Sequence, residues 1–472
     1  MKFLLLRAGK YEEGSKNVIY APTSEPPLGL LYIGASIEQE GHKAEIIDFS
    51  IDKYAEEEMK KSLNSVDAVG ISVYTEELEN AVYISKKIKE LKPNIPIIIG
   101  GPHCIYLKNK SLVDIPYSDI AVICEGEEVI KDIAKWLEGK KELAEIPGIY
   151  YKENNKIKPG KPLKIIDDLE SIAFPAQHLI DKYDYGKLGG WSTLLKKRVT
   201  TITTSRGCPF NCRFCARYSN AIKGWGYRSR SAENVVEELQ QLVGKFRTVM
   251  IVDDNFLADI KRAHKIFDLI LENKLDLDFY IGGARVENAE PELYKKMKKA
   301  GVKMIGYGIE SGNQEVLDFY NKKINLNQIR KAVTLARDTG ILTYSTFIFG
   351  APIETKKHLE DTIDFACSLP LNLALFVHLR YEMGSTLYLE AVKDKKVSKD
   401  EYCVFADSNK NLGILSSDEI EKYIRIAFRR FYFRPKYLLD QALGALKRGD
   451  FNIIIYGLGL QITYLKEFLL EF

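Results

Sequence analysis

The feature that most restricts the fold is alternation. Short apolar runs, each long enough for one buried strand, recur between stretches of helical spacing from the first residues to about position 385. KFLLLRAG, KAEIIDFS, DAVGISVY, IPIIIGG and IAVIC read as strands; LLYIGASIEQEG (closed by Gly41), ENAVYISKKIKELK and EVIKDIAKWLEG read as the helices between them. Strands joined by helices form a parallel sheet covered on both faces. The fold class expected is therefore α/β, with a doubly wound, Rossmann-like parallel sheet over residues 1–145. Turn-forming segments stand at the carboxyl ends of these strands: Pro26-Pro27-Leu28-Gly29, Ser72-Val73-Tyr74-Thr75-Glu76, Gly100-Gly101-Pro102-His103 and Glu125-Gly126-Glu127. Ligands of open α/β sheets bind at that edge, so these loops converge on one candidate site. No G-x-G-x-x-G follows the first strand, which argues against a nucleotide there.

The pattern changes over residues 146–195. GIYYKENNKIKPGKPLKI reads as a hairpin and DDLESIAFPAQHL as an extended crossing segment, together expected to form a structured linker. Alternation resumes over 196–385, where TTITTSRG, TVMIVDDNF, DFYIGGARVE, KMIGYGIESG and YSTFIFGAP read as successive strands. Ser231 is placed to cap one intervening helix, and Asn325 and Gly340 bracket another. A partial (β/α) barrel follows from this order. Residues 386–472 are expected to be a helical tail, with a capping box from Ser416 to Glu419, one apolar face through Ile420, Ile424, Ala427 and Phe431, and a stop at Pro435.

A chain of 472 residues exceeds one ordinary core, and a net charge of +3 gives no field for holding nucleic acid non-specifically. At the N-terminus charge returns at Arg7 and Lys10, too soon for a secretory signal. The most apolar late stretch, Asn452 to Leu470, is broken by Gln461, Lys466 and Glu467 and is no membrane span. A cytoplasmic location is expected, where thiols stay reduced. Of the seven cysteines, Cys104, Cys124, Cys367 and Cys403 are scattered and read as small buried hydrophobes, while Cys208, Cys212 and Cys215 fall in the compact run Cys208-Pro-Phe-Asn-Cys212-Arg-Phe-Cys215. That is a metal-site pattern rather than a disulfide framework. Three thiolates on such a loop can take three corners of an iron–sulfur cube, leaving one iron open to a small molecule; a structural zinc with a distant fourth ligand is the alternative.

This run, with Phe214 just before its last cysteine, resembles the radical S-adenosylmethionine (SAM) superfamily, over roughly residues 198–385. The resemblance implies a [4Fe–4S] cluster on Cys208, Cys212 and Cys215. Its open iron chelates the amino and carboxylate groups of SAM, and one electron then cleaves the sulfonium to give a hydrogen-abstracting 5′-deoxyadenosyl radical. It further implies SAM contacts from Phe214, from Asp253 and Asp254 after the second barrel strand, from Glu310 and Ser311, from Gly350 in the adenine strand, and from Arg285 as a partner for the carboxylate.

The N-terminal part is similar to the cobalamin-binding domain fused to one large subgroup of that superfamily. The matching residues are Pro26 to Leu30, Gly70-Ile71-Ser72, Gly100 to His103 and Glu125 to Glu128. By resemblance, Leu28, Gly29, the Ser72–Glu76 loop, Gly100 to His103 and Glu125 to Glu127 cradle the corrin. The D-x-H-x-x-G signature is missing around both His42 and His103, so no histidine is expected on cobalt, and Ser72 to Glu76 are expected to face its lower side.

The cofactor set SAM, [4Fe–4S] and cobalamin implies methyl transfer to an unactivated carbon. Ring closure, rearrangement or oxidation with the same cofactors is the alternative within enzymes, and a cobalamin or redox sensor or carrier the alternative outside them. The bases and aromatics of Arg429 to Pro435 raise a lipid headgroup or an anionic substrate, and hence peripheral membrane contact, against the plainer reading of a helix closing the barrel. A hydrophobic lipid, isoprenoid or tetrapyrrole-like substrate and a flavodoxin- or ferredoxin-like electron donor complete the expected partners. Too few cysteines remain for auxiliary clusters.

Overall fold

The first strand, β1 (Lys2–Arg7), buries Phe3 to Leu6 on both faces, as a central parallel strand must. This is a computed structural model, and it describes residues 1–9, 25–185 and 198–448. The apolar stretch Asn452 to Leu470, Lys10, the start of the loop before Pro26 and the end of the expected linker lie outside the described residues. The described residues form two compact units, one of 1–9, 25–184 and 221–225, the other of 185, 198–220 and 226–448.

In the first unit β1 is followed by α1 (Leu28–Gln39), β2 (Lys43–Asp48), α2 (Ala55–Ser62), β3 (Ala68–Ser72), α3 (Leu78–Leu91), β4 (Ile97–Gly100), α4 (Pro102–Leu107), α5 (Ser111–Asp114), β5 (Ile120–Val122), α6 (Glu127–Leu137), β6 (Ile149–Glu153) and β7 (Lys156–Pro159). The sheet order is β2-β1-β3-β4-β5-β6-β7, parallel through β5. The order reverses between β1 and β3, and a crevice for ligand opens at the carboxyl edge of such a switch point. Leu4, Leu6, Ile71 and Ile99 pack there with Met59, Ile84 and Ile88 from the covering helices. The hairpin expected over the linker is present, but it is part of this sheet: β6 pairs antiparallel with β5 and β7 with β6. The physical reason is the exposed ladder of β5, whose unpaired backbone groups the hairpin satisfies.

The second unit contains β8 (Val199–Ile202), β9 (Ser205–Arg206), β10 (Arg228–Ser229), α7 (Ala232–Leu242), β11 (Thr248–Ile251), α8 (Ile260–Glu272), β12 (Asp278–Ala284), α9 (Pro291–Lys299), β13 (Val302–Glu310), α10 (Gln314–Phe319), α11 (Leu326–Thr339), β14 (Leu342–Phe349), α12 (Lys356–Ser368), β15 (Leu373–His378), β16 (Arg380–Glu382), α13 (Thr386–Lys393), β17 (Cys403–Phe405), α14 (Ser417–Tyr432) and α15 (Pro435–Arg448). Its main sheet has six parallel strands in chain order, β8-β11-β12-β13-β14-β15, with edges at β8 and β15 that are unpaired among the described residues, a partial (β/α) barrel. Ser231 caps α7 through Asn234 N, Asn325 forms a capping box with Gln328, and Gly340 closes α11 in the left-handed region. The sixth strand, β15, was not evident from sequence. The tail is not purely helical either, since β17 pairs with β16 and Pro435 starts a second helix after ending the first.

The two faces of the barrel sheet differ. Phe347 stacks on Phe376 at 5.3 Å and Phe376 meets Phe428 of α14 edge-on at 5.4 Å, while the Tyr307 hydroxyl bonds Tyr294 of α9. Those residues face the helices. The alternate residues Met250, Tyr280, Tyr344, Thr346, Ile348, Leu375 and Val377 therefore line the opposite face, and all are only half-buried.

Candidate functional site

In a parallel sheet every strand delivers its following loop to the same edge. The carboxyl edge of the barrel thus receives the cysteine loop after β8 and β9, Asp253 to Asn255 after β11, Arg285 after β12, Glu310 and Ser311 from β13, and Gly350 after β14. Glycine is required where β12 passes the β11 loop: a Cβ on Gly283 would stand 2.5 Å from the Asp253 carbonyl oxygen.

The three thiols share one loop and one electrostatic neighbourhood. Burial pushes the Cys208 thiol up, Asp254 and Cys212 add to the shift, and Arg285 opposes it. Cys215 is exposed by area, yet protein crowds its sulfur enough to push the thiol to about 12, with Cys212, Asp254 and Cys208 contributing. Such mutual repulsion between developing thiolates is relieved by a cationic metal core. Among the described residues no three His, Cys, Asp or Glu are grouped to hold a single ion. Three thiols on one loop are the donor set that three corners of an iron–sulfur cube need. The other cysteines differ from one another. Cys104 and Cys124 are buried, with thiols pushed to about 12 chiefly by burial, whereas Cys403 is exposed, contrary to its reading as a buried hydrophobe.

Much of what holds this loop was not legible beforehand. Arg213 N donates to Tyr320 O at 2.9 Å, its guanidinium bonds Glu390 at 2.6 Å, and Asn321 Nδ2 donates to Asn211 O at 2.9 Å. Phe214 packs edge-on against Tyr320 at 5.0 Å, so its ring braces the loop. Three residues expected to touch SAM are also bonded within the protein. Asp253 accepts Thr204 N at 2.6 Å, Thr204 Oγ1 at 2.5 Å and Ser205 Oγ at 2.6 Å, with Arg262 at 3.7 Å. Arg285 lies 3.7 Å over the Phe210 ring, bonds Glu287 and the Lys322 carbonyl, and reaches Cys212 Sγ at 3.7 Å. The Gly350 N–H is taken by Glu354 at 2.6 Å. Ser311 is likewise tied down, sharing a hydrogen bond with Thr362 Oγ1 at 3.0 Å and capping Asn313 N at 3.1 Å. These groups shape the strand ends because a buried polar atom left unbonded costs more than a bond to its neighbours.

Three residues do present chemistry to the edge. Asp254 accepts a bond from Gly207 N, and burial together with Asp253 raises its carboxyl above the usual range. Asn255 is fully buried with both amide atoms unpartnered, a donor and an acceptor awaiting a polar ligand. Glu310 adopts φ +70°, an unusual backbone for a non-glycine residue, and its carboxylate pairs with Lys322 at 2.8 Å and accepts from Thr346 at 3.1 Å. The amine, carboxylate and ribose of SAM fit this donor and acceptor set. Lys322 was not singled out from sequence, whereas Asn255 closes the Val252-Asp253-Asp254-Asn255 run that the resemblance places near the methionine amine.

At the switch point of the first unit, Ser72, Val73, Tyr74, Thr75 and Glu76 follow β3, Gly100, Gly101, Pro102 and His103 follow β4, Leu28 and Gly29 open α1, and Glu125, Gly126 and Glu127 lead into α6. Gly101 has φ +102°, and a Cβ there would meet Val73 O at 3.0 Å, so glycine is what lets the β4 loop pack against the β3 loop. Glu125 is committed to Ile166 N at 2.9 Å. Asn80, another unanticipated residue, clamps the end of β1 through Ala8 O at 2.6 Å and Gly9 O at 2.7 Å.

The model of the radical SAM superfamily matches residues 202–366, and that of the B12 binding domain matches residues 14–134. An uncharacterized methyltransferase of Pyrococcus horikoshii is 32% identical over 93% of this chain and 94% of its own length. The chain belongs to the cobalamin-binding radical SAM family. Its members are enzymes, and its cofactors are a [4Fe–4S] cluster, SAM and cobalamin. The anaerobic magnesium-protoporphyrin IX monomethyl ester cyclase of Cereibacter sphaeroides is 26% identical over 90% of this chain and 72% of that protein. The radical SAM methyltransferase TsrM of Kitasatospora setae, solved with cobalamin and a [4Fe–4S] cluster, shares the fold with a TM-score of 0.66 at 18% identity, over 84% of this chain and 75% of that one. Two of the three arginines of the tail segment are engaged within the barrel unit, Arg430 on Glu360 at 2.6 Å and on Asp364, and Arg434 on the Cys367 carbonyl, while Arg429 is exposed. That favours barrel closure over a lipid headgroup. Among the described residues no helix is long and apolar enough to cross a membrane.

Proposed function

We propose that this protein is a C-methyltransferase that places the methyl group of SAM on an unactivated carbon of a hydrophobic, lipid, isoprenoid or tetrapyrrole-like substrate. The observation that carries the substrate class is the half-buried inner face of the barrel, where Met250, Tyr280, Tyr344, Ile348, Leu375 and Val377 offer apolar surface. The charges nearby, Glu310 and Lys322, neutralise each other and do not ask for a charged substrate. On this reading residues 1–145 seat the corrin and 196–385 the cluster and SAM. Cys208, Cys212 and Cys215 hold the cluster, Asp254, Asn255 and Glu310 bind SAM, and Asp253, Arg285 and Phe214 fix the loop that carries the cysteines. When bound, the cluster and SAM supply a carbon-centred radical on the substrate, and cobalamin supplies the methyl group. The protein's own part is to orient these groups and keep water from them. A flavodoxin- or ferredoxin-like protein delivers the electron.

The test is anaerobic reconstitution with iron, sulfide, hydroxocobalamin and a low-potential reductant. The enzyme is then incubated with trideuteromethyl SAM and extracts rich in lipids, isoprenoids and tetrapyrroles. A hydrophobic product carrying the trideuteromethyl group is expected. Formation of 5′-deoxyadenosine with an altered substrate but no label in product would replace methyl transfer by ring closure, rearrangement or oxidation, the second reading that the cyclase relative supports.

A further inference from the structure

His103 occupies an unusual position at the proposed corrin edge. Its side chain is completely buried, and it stands between two polar partners: Nε2 lies 3.4 Å from Asp114 Oδ2 of α5, and Nδ1 lies 3.4 Å from Thr75 Oγ1 in the β3 loop. The backbone links the same two loops, since His103 N donates to Val73 O at 3.2 Å. Thr75, in contrast, is half-exposed on that loop. The imidazole lies behind Thr75, so it can fix the group that faces the edge.

The hydrogen positions follow from bonding capacity. A neutral imidazole carries one N–H and one acceptor nitrogen. Asp114 Oδ2 faces Nε2 at 3.4 Å without forming an aligned hydrogen bond, and its charge favours the proton on that nitrogen, leaving Nδ1 as the acceptor. Thr75 must then donate its hydroxyl proton inward, which leaves the lone pairs of its oxygen turned outward. We propose that Asp114, His103 and Thr75 form a relay that sets the Thr75 hydroxyl as a hydrogen-bond acceptor for an amide N–H of the corrin side chains, with His103 as a positioning residue and not a cobalt ligand. This rests on cobalamin seating at this edge. Carboxylate–histidine pairs behind a ligand-contacting group fix tautomer and orientation in just this way.

The experiment is cobalamin titration of the full chain, read by absorbance after gel filtration, together with electron paramagnetic resonance of the bound cob(II)alamin. Thr75→Val, which keeps the shape and removes the hydroxyl, is expected to weaken binding about tenfold, and Thr75→Ser to stay close to the wild type. His103→Gln should weaken binding by a similar factor, and the double variant should be no worse than either single one, because both break one relay. Unchanged melting curves of the Thr75 variants separate this from misfolding. In protein with isotopically labelled histidine nitrogen, the cobalt spectrum should carry no histidine splitting. Full affinity in Thr75→Val, additive losses in the double variant, or a histidine splitting in the wild type would each overturn the relay. A wild-type chain that retains no cobalamin would instead remove the seating on which the relay depends.

Discussion

Asp253→Asn separates the two roles open to that side chain, a brace for the cysteine loop or a ligand for SAM. In the structure one carboxylate oxygen receives the Thr204 hydroxyl at 2.5 Å and the Ser205 hydroxyl at 2.6 Å, and the other receives Thr204 N at 2.6 Å. The amide keeps shape and one acceptor oxygen but turns the doubly bonded oxygen into a donor. Hydrogen bonds to a charged group contribute about 1.5 kcal/mol each at the low end, so losing two costs about 3 kcal/mol. Arg262 keeps Thr204 O at 3.1 Å and Arg230 O at 3.3 Å, so it does not become an orphaned buried charge on top of that loss. For a unit of this size, about 3 kcal/mol corresponds to a melting transition lower by about 6–12 °C. The assay is thermal unfolding of the cluster-free protein, followed by iron analysis after reconstitution and SAM binding by equilibrium dialysis. The expected variant melts earlier and takes up less iron per chain, while the fraction that holds a cluster binds SAM normally. Normal melting and normal iron with SAM affinity reduced tenfold would refute the brace and return Asp253 to the SAM site.

Serine at Cys208, Cys212 or Cys215 should abolish iron uptake and 5′-deoxyadenosine formation, whereas serine at Cys367 or Cys403 should change neither; iron retention in any of the first three would remove that residue from the ligand set. Gly101→Ala, with φ +102° and backbone of Val73 at 3.0 Å, should cost about 1–2 kcal/mol and lose cobalamin. Gly139→Ala, at φ +73° with open space around it, should carry the conformational cost alone and keep the cofactor. The buried Glu354 carboxyl is pushed up to about 7 by burial, against the pull of the Gly350 and Ala351 N–H groups. Its folded pKa exceeds its unfolded value of 4.5, so the folded state holds the extra proton between the two. Stability contributed by this group should therefore fall as pH rises from about 4.5 to about 7, by at most ~1.4 kcal/mol per unit. Denaturant unfolding of Glu354→Gln should show that slope removed, and an unchanged slope would assign the pH dependence to other groups.

Local pattern carried the architecture far. Buried runs such as KFLLLRAG and KMIGYGIESG and caps such as Ser231 and Asn325 are properties of contiguous residues, and each took the expected form. The strand β15 was hidden because Leu373 to Val377 is a continuous apolar run whose period does not distinguish a strand from a buried helix segment, although Pro370 and Asn372 mark a turn before it. The hairpin over 146–160 looked like a linker because its partner, β5, lies some thirty residues earlier.

By itself, the sequence determined the two α/β units, the cysteine loop and the loops gathered at the carboxyl edge of each sheet, because strand and helix periods, turn chemistry and motif spacing are written within a few residues. Only the tertiary structure decided which polar side chains remain available there. It spent Asp253, Arg285, Ser311 and Gly350 on holding strand ends, left Asn255 with both amide atoms unpartnered, and set His103 between Asp114 and Thr75. The physical reason is that buried polar groups bond whatever the fold brings within about 3 Å, and those neighbours come from distant parts of the chain.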